Sequence, residues 1–325
     1  MRKLYLITGA TGHVGSVLIS ELVRRNAEIR VLVLPGHSCH FPENVEICVG
    51  DITKPDTLIP FFNTQSYDSV TLIHCAALIT IASGRNPKVW DINVNGTENV
   101  LHFAFEKNVN RVIYVSSVHA IPEKPSGQVI TEVGEFSPDL VYGQYAKSKA
   151  AAAQIALNYA KRGLNLSIVH PSGIIGPGDR KKRNHMIRTI HAMAEGKIPV
   201  GLKGGYDFVD SRDVVNGILA CEEKGCPGEC YILTGHYVTV LELLNLVRTS
   251  KGKKEIHIEV PYGIAKAIAP VAEFSAKILK KSAPLFTPYS VYTLHTNGVF
   301  SHEKASRKLG YFPRDIADSI RDSFL

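Results

Sequence analysis

The chain has 325 residues, of which 45% are hydrophobic and 21% charged, enough for one large domain or two associated ones and unlike a fibrous or disordered composition. Its formal charge of +7 suits an anionic cofactor or substrate. The basic residues are not gathered into a stripe, so no nucleic-acid partner is expected.

Met1-Arg-Lys-Leu-Tyr-Leu-Ile-Thr8 enters a strand-like apolar run at once, without the charged, apolar and small-residue regions of a signal peptide, so a cytoplasmic location is expected. Strand-like runs at Leu4 to Thr8, Ile29 to Leu34, Val45 to Val49, Val70 to Ile73, Val112 to Val115 and Leu166 to Val169 alternate with helix-like segments at 13–25, 55–62, 86–107 and 140–161. Continuous apolar strands followed by helices predict a parallel sheet covered on both faces, a doubly wound α/β fold. Beyond about residue 175 the helices lengthen and strands become fewer, with breaks at Pro177-Gly178, Gly204-Gly205 and Pro227-Gly228. The expected division is a nucleotide-binding domain over 1–175 and a smaller, mostly helical substrate lobe over 176–325, with the chain crossing between them. The apolar stretch Ile264 to Leu279 is interrupted by Lys266, Pro270, Glu273 and Lys277, so no membrane span is expected. The six cysteines, at 39, 48, 75, 221, 226 and 230, lack paired Cys-x-x-Cys spacing and read as reduced thiols, with no metal site expected.

Two motifs carry chemistry. Thr8-Gly-Ala-Thr-Gly-His-Val-Gly15 follows the first strand and opens the first helix, the setting of a dinucleotide loop. Gly9 permits the turn, Gly12 lets backbone approach a pyrophosphate, and Gly15 allows close helix packing. Farther on, Tyr145 and Lys149 are four residues apart and share a helix face. An ammonium beside a phenol favours the phenolate, so Lys149 is expected to lower the Tyr145 pKa from its ordinary value of about 10. Tyr142 lacks such a lysine partner, and Lys147 points elsewhere on the helix.

The G-x-x-G-x-x-G spacing with a downstream Tyr-x-x-x-Lys resembles the extended branch of the short-chain dehydrogenase/reductase superfamily over essentially the whole chain. The resemblance implies a Rossmann fold, hydride transfer with NAD or NADP, and a set of roles. Thr11, His13 and Val14 would complete the glycine cradle. Asp51 and Ile52 would hold adenine, and Cys75, Ala76 and Ala77 in His74-Cys-Ala-Ala77 would lie beneath the cofactor. Asn93 in Asn93-Val-Asn-Gly-Thr97 would order water and backbone, and Pro171 and Ile174 would lie against the nicotinamide. Tyr145 would be the general acid/base, and Lys149 would also hold the nicotinamide ribose. Ser117 would hydrogen-bond the reacting oxygen, with Ser116 as the alternative for that role.

The second strand ends at Leu34 where an NAD-preferring member has an acidic residue. That absence, with His37, Ser38 and His40 nearby, leans the cofactor toward NADP. His170, and Ser172 or Gly173, occupy the stretch where sugar-nucleotide epimerases and dehydratases carry an arginine and an asparagine. The departure points to the reductase side, resembling dihydroflavonol reductases and 3β-hydroxysteroid dehydrogenases. Gly205 to Asp213 resembles that group's second-lobe signature and reads as mainly architectural, while Arg180-Lys-Lys-Arg183 is a basic run that reads as solvated or as a grip for an anion. The expected function is an oxidoreductase acting on a ketone, aldehyde, flavonoid or steroid. The alternatives are a nucleotide-sugar epimerase or dehydratase and a catalytically silent dinucleotide-binding regulator. A small-molecule substrate is the expected partner, and a homodimer through the helices near 86–107 and 140–161 follows from the resemblance.

Overall fold

In the computed structural model, residues 2–37, 39–179, 184–278 and 287–324 are described. The first half runs β1 (Lys3–Thr8), α1 (His13–Arg24), β2 (Glu28–Val33), β3 (Val45–Val49), β4 (Ser69–His74), α2 (Pro87–Trp90), α3 (Gly96–Glu106), β5 (Arg111–Val115), α4 (Gln144–Lys161) and β6 (Leu166–Pro171). The second half runs β7 (Gly173–Ile175), α5 (His185–Glu195), β8 (Gly201–Leu202), β9 (Gly205–Asp210), α6 (Ser211–Lys224), β10 (Cys230–Leu233) and β11 (His236–Thr239). It continues through α7 (Val240–Ser250), β12 (Glu259–Val260), α8 (Tyr262–Ile278), α9 (Pro288–His295), α10 (Glu303–Leu309) and α11 (Ile316–Asp322).

Seven parallel strands form the main sheet in the order β10-β6-β5-β4-β1-β2-β3. Alternation along β1 sends Leu4 and Leu6 into the core beneath α3 and α4, and Ile7 into the core beneath α1 and α6. Both faces are buried, which is why the central strands read as continuous apolar runs. The strand order reverses between β1 and β4, and ligand crevices of such sheets open outside the carboxyl ends at that switch point.

The chain returns to this sheet after residue 175: α6 packs beside α1, and β10 adds the seventh strand on β6. A boundary at 175 therefore cuts through the sheet layer. The remaining chain builds the second lobe from a three-stranded sheet (β11-β9-β7), a two-stranded one (β12-β8) and α5, α7, α8, α9 and α11 around a separate apolar core.

Three predicted helices differ in form. Over 55–62 only a 3₁₀ turn forms, Pro55–Leu58, because Pro60 has no N–H to continue the ladder. The 86–107 segment is not one helix: a π-turn at Asp91–Asn95 separates α2 from α3, the kind of bulge often found at functional sites. The 140–161 segment becomes helical only at Gln144, because Gly143 has a positive φ of 92°. Tyr142 thus precedes α4 and is exposed, its ring 4.3 Å from that of Tyr292.

Candidate active site

The carboxyl ends of β1, β4, β5 and β6 open into a cleft roofed by the second lobe. Of the predicted residues, Gly9, Gly12, His13, Val14, Gly15, Cys75, Ala77, Ser116, Ser117, Tyr145, Lys149, Pro171 and Ile174 line it. Thr11, Leu34, Asp51, Ile52, Ala76 and Asn93 do not. Leu34 is exposed just beyond β2, and Asp51, past the end of β3, accepts hydrogen bonds from the backbone and hydroxyl of Thr53 through Oδ1 at 2.9 and 2.8 Å. The Ile52 side chain is buried against Gly96, where a methyl group would meet its Cδ1 at 2.7 Å. Ser38 and Arg180 to Arg183 lie outside the described residues.

The glycine loop fits a dinucleotide. Gly9 has φ +71°, and a Cβ there would strike the Ala76 nitrogen at 2.6 Å, so only glycine lets the turn sit on the end of β4. A Cβ on Gly15 would meet the Gly9 carbonyl oxygen at 2.2 Å; this glycine seats the helix on its own loop. A Cβ on Gly12 would press the Gly9 carbonyl oxygen at 3.2 Å, α1 has no side-chain cap, and its first turn holds no acidic residue. Free N–H groups and the positive end of the helix dipole thus face the cleft, as an anion requires. The His13 side chain turns away from that task. Its Nε2 meets the Pro177 carbonyl at 2.9 Å and its Nδ1 the Asn184 amide at 3.0 Å, pinning the second lobe to the loop.

Asn93 sits behind the cleft in the π-turn. Its side chain accepts from Leu78 N (2.7 Å) and donates to Leu78 O (3.0 Å) and Ser148 Oγ (2.9 Å). It therefore ties the loop after β4 to α4 and orders backbone, while its amide is fully engaged.

Tyr145 and Lys149 project from α4 and are both buried. Lys149 Nζ donates to the Val115 carbonyl at 2.9 Å and lies 3.2 Å from Tyr114 Oη. Burial lowers its pKa to about 7. Burial also pushes the Tyr145 phenol up to about 12, opposed by a hydrogen bond with Ser117. The expected depression of the Tyr145 pKa by Lys149 is thus reversed here: the ammonium is spent on the end of β5, and desolvation of the phenolate dominates. Ser117 is the serine whose hydroxyl reaches Tyr145, and its Oγ also accepts from His119 N at 3.3 Å. Buried His170 donates Nδ1–H to the Ser117 carbonyl at 3.0 Å, so the histidine that replaces the expected arginine holds the serine's backbone.

Sequence reasoning missed His119 and did not single out Tyr289. His119 Nε2 is 3.1 Å from Tyr206 Oη and Nδ1 is 3.3 Å from Tyr289 Oη, and the His119 and Tyr145 rings are 5.8 Å apart. The signal for His119 was its place two residues after Ser117. Tyr289 is remote in sequence, and its one signal was its place in the 261–292 segment, whose aromatic and aliphatic residues read as core or as the lining of an apolar cleft. The Gly205 to Asp213 segment divides its work: Asp207 accepts from Ser172 Oγ (2.5 Å) and Gly235 N (2.9 Å) and Asp213 pairs with Arg314 at 2.7 Å, while Tyr206 and Phe208 face the cleft.

Comparison with known proteins agrees with this geometry. The model of the NAD dependent epimerase/dehydratase family matches residues 5–233. The chain is 28% identical to sterol demethylase protein B of Methylococcus capsulatus, over 98% of this chain and 96% of that protein. It is 27% identical to a 3-beta-hydroxysteroid dehydrogenase of Mycolicibacterium neoaurum, over 95% and 86%. The crystal structure of gox2253 superposes with a TM-score of 0.84 at 31% identity, covering 99% of this chain and 96% of that one. The Thermus thermophilus UDP-glucose 4-epimerase in complex with NAD shares the fold, with a TM-score of 0.76 at 20% identity over 98% and 97%. Among the described residues no helix is long and apolar enough to cross a membrane. The chain belongs to the NAD dependent epimerase/dehydratase family, the extended short-chain dehydrogenases/reductases, and is an oxidoreductase.

Proposed function

We propose that this protein interconverts a carbonyl and an alcohol on a moderately apolar small molecule of ketone, aldehyde, flavonoid or steroid type, with Ser117, Tyr145 and Lys149 as its catalytic residues. The observation that carries the reading is the cleft wall. Its substrate side is built from Ile79, Ile81, Met186, Met193, Phe208 and Leu243, and Lys149 is the sole lysine or arginine among the described lining residues. A nucleoside-diphosphate sugar calls for cations at its phosphates, and His170 in place of the epimerases' arginine, held on the Ser117 carbonyl, weighs against the epimerase alternative. Retention of Tyr145 and Lys149 weighs against a silent regulator.

The glycine loop and the N-terminus of α1 would hold the phosphates of a nicotinamide dinucleotide and Lys149 its ribose, and the hydride for the carbonyl carbon would come from that cofactor. Tyr145, held protonated by burial, donates its proton to the carbonyl oxygen. Ser117 donates a hydrogen bond to that oxygen as charge develops, with His170 and the end of β5 fixing its place. The apolar wall excludes water from the reacting carbon. For the cofactor we favour NADP, because no carboxylate follows β2 to repel a 2′-phosphate.

A panel of carbonyls and alcohols followed by nicotinamide absorbance tests the reading. Tyr145→Phe is expected to lower turnover by about 10³-fold while dinucleotide still binds. Retained turnover removes Tyr145 from its role, and turnover confined to nucleotide sugars removes the substrate class.

A further inference from the structure

His119, Tyr206 and Tyr289 are not used by the proposed chemistry, yet they form a hydrogen-bonded polar cluster in the cleft wall. The Tyr206 and His119 rings lie in nearly parallel planes, 16° apart, with centroids 5.6 Å from each other. Two glycines make room for the phenols. A Cβ on Gly143 would strike Tyr289 Cε2 at 2.3 Å, and one on Gly298 would press Tyr206 Cδ2 at 3.3 Å. Gly143 is also the residue that starts α4, so Tyr289 is seated against the helix that carries Tyr145.

Counting protons shows what the cluster offers. Burial lowers His119 to about 4 and raises both phenols, so at neutral pH the imidazole carries one N–H and one lone pair. One phenol therefore donates to the imidazole and the other accepts from it. The accepting phenol keeps its hydrogen, and neither phenol has another hydrogen-bond partner among the described residues. In either tautomer one O–H remains to be spent, and Tyr206 and Tyr289 both line the cleft. A buried donor without a partner is costly, whereas a ligand oxygen satisfies it.

We propose that Tyr206 and Tyr289, bridged by His119, form a second oxygen-binding subsite, so that the preferred substrate is an apolar carbonyl compound bearing another uncharged oxygen close to the reacting carbon. The cluster has no formal charge to offset a carboxylate, and burial penalises one. No hydrogen bond links the cluster to Tyr145 Oη among the described residues, so it acts as a positioning group on the substrate and not as a proton path. The inference rests on the carbonyl-reductase reading and names its substrate more closely.

The test compares 1-phenylpropan-1-one with 1-phenylpropane-1,2-dione, which differ by one oxygen, on the full chain saturated with oxidised NADP. Calorimetry is expected to show the dione bound about tenfold more tightly, with that ratio falling to near one in the Tyr206→Phe/Tyr289→Phe double variant. In turnover the loss should fall on KM for the dione, more than on kcat. Each single Tyr→Phe variant, expected to lose part of the ratio, serves if the double variant fails to fold. An equal loss for both ketones, an unchanged ratio in the variants, or no preference in the natural protein overturns the subsite. Preferential dione binding without reduction of any carbonyl sinks the reductase reading and leaves the subsite standing.

Discussion

The two ends of the cleft are made differently. At the dinucleotide end the contacts are backbone: a turn of φ +71° at Gly9, an uncapped helix N-terminus, and glycines at which a methyl group would lie only 2.2 to 2.6 Å from neighbouring backbone. At the substrate end they are side chains from chain-remote segments, with Ile79 and Ile81 from the loop after β4, Met186 and Met193 from α5, Tyr206 from β9 and Tyr289 from α9. Backbone geometry is set by local residue type, so the first end tolerates little substitution. Side-chain walls repack, which leaves the second end free to change substrate while the chemistry stays.

The comparison can be broken most sharply at Gly9. Gly9→Ala places a methyl group against the Ala76 backbone at a φ that alanine resists, a strain of about 1–3 kcal/mol. A lower melting temperature together with loss of dinucleotide affinity is expected. Retention of both would mean that the turn relaxes and that the backbone end is as plastic as the wall.

Lys149 links the two ends, and its pH behaviour is the next test. Its folded pKa of about 7 lies below the ordinary 10.5, so its burial costs stability in full below pH 7, and that cost vanishes above 10.5. Lys149→Met should therefore gain on the natural protein, in chemical denaturation, as pH falls from 10.5 to 7. An anionic dinucleotide favours the ammonium, so binding at pH 8 should take up a proton, visible as a buffer-dependent heat that the variant lacks. A pH-independent stability difference between the two proteins would contradict this account.

The smallest effect is expected at Leu34, at the far rim of the backbone end. Leu34→Asp places a carboxylate after β2 and should shift preference from NADP toward NAD by about tenfold, measured as the ratio of kcat/KM values. An unchanged ratio would show that Leu34 does not set the choice.

The first half of the molecule was legible because its signals are short-range. Apolar strands alternating with helices gave the parallel sheet, and the glycine spacing after β1 gave the loop that the structure places at the switch point. The Tyr145 to Lys149 spacing likewise placed both residues on one face of α4. Legibility failed where a distant residue or solvent exclusion decides. Pro60 ends one predicted helix by a local rule, whereas the packing of the Ile52 side chain on Gly96 depends on a residue far along the chain. The direction of the Tyr145 pKa was inverted because desolvation is a property of the assembled cleft.

By itself, the sequence determined the alternation of elements in the first half, the glycine loop and the helical spacing of the proposed acid/base pair, since each depends on residues within a turn or two of one another. Only the tertiary structure decided that α6 and β10 rejoin the first sheet, that His13 clasps the second lobe, and that His119 stands between Tyr206 and Tyr289 beside Tyr145. The reason is physical: burial, hydrogen bonding and proton balance arise from groups up to 170 residues apart, and no local pattern encodes which of them will meet.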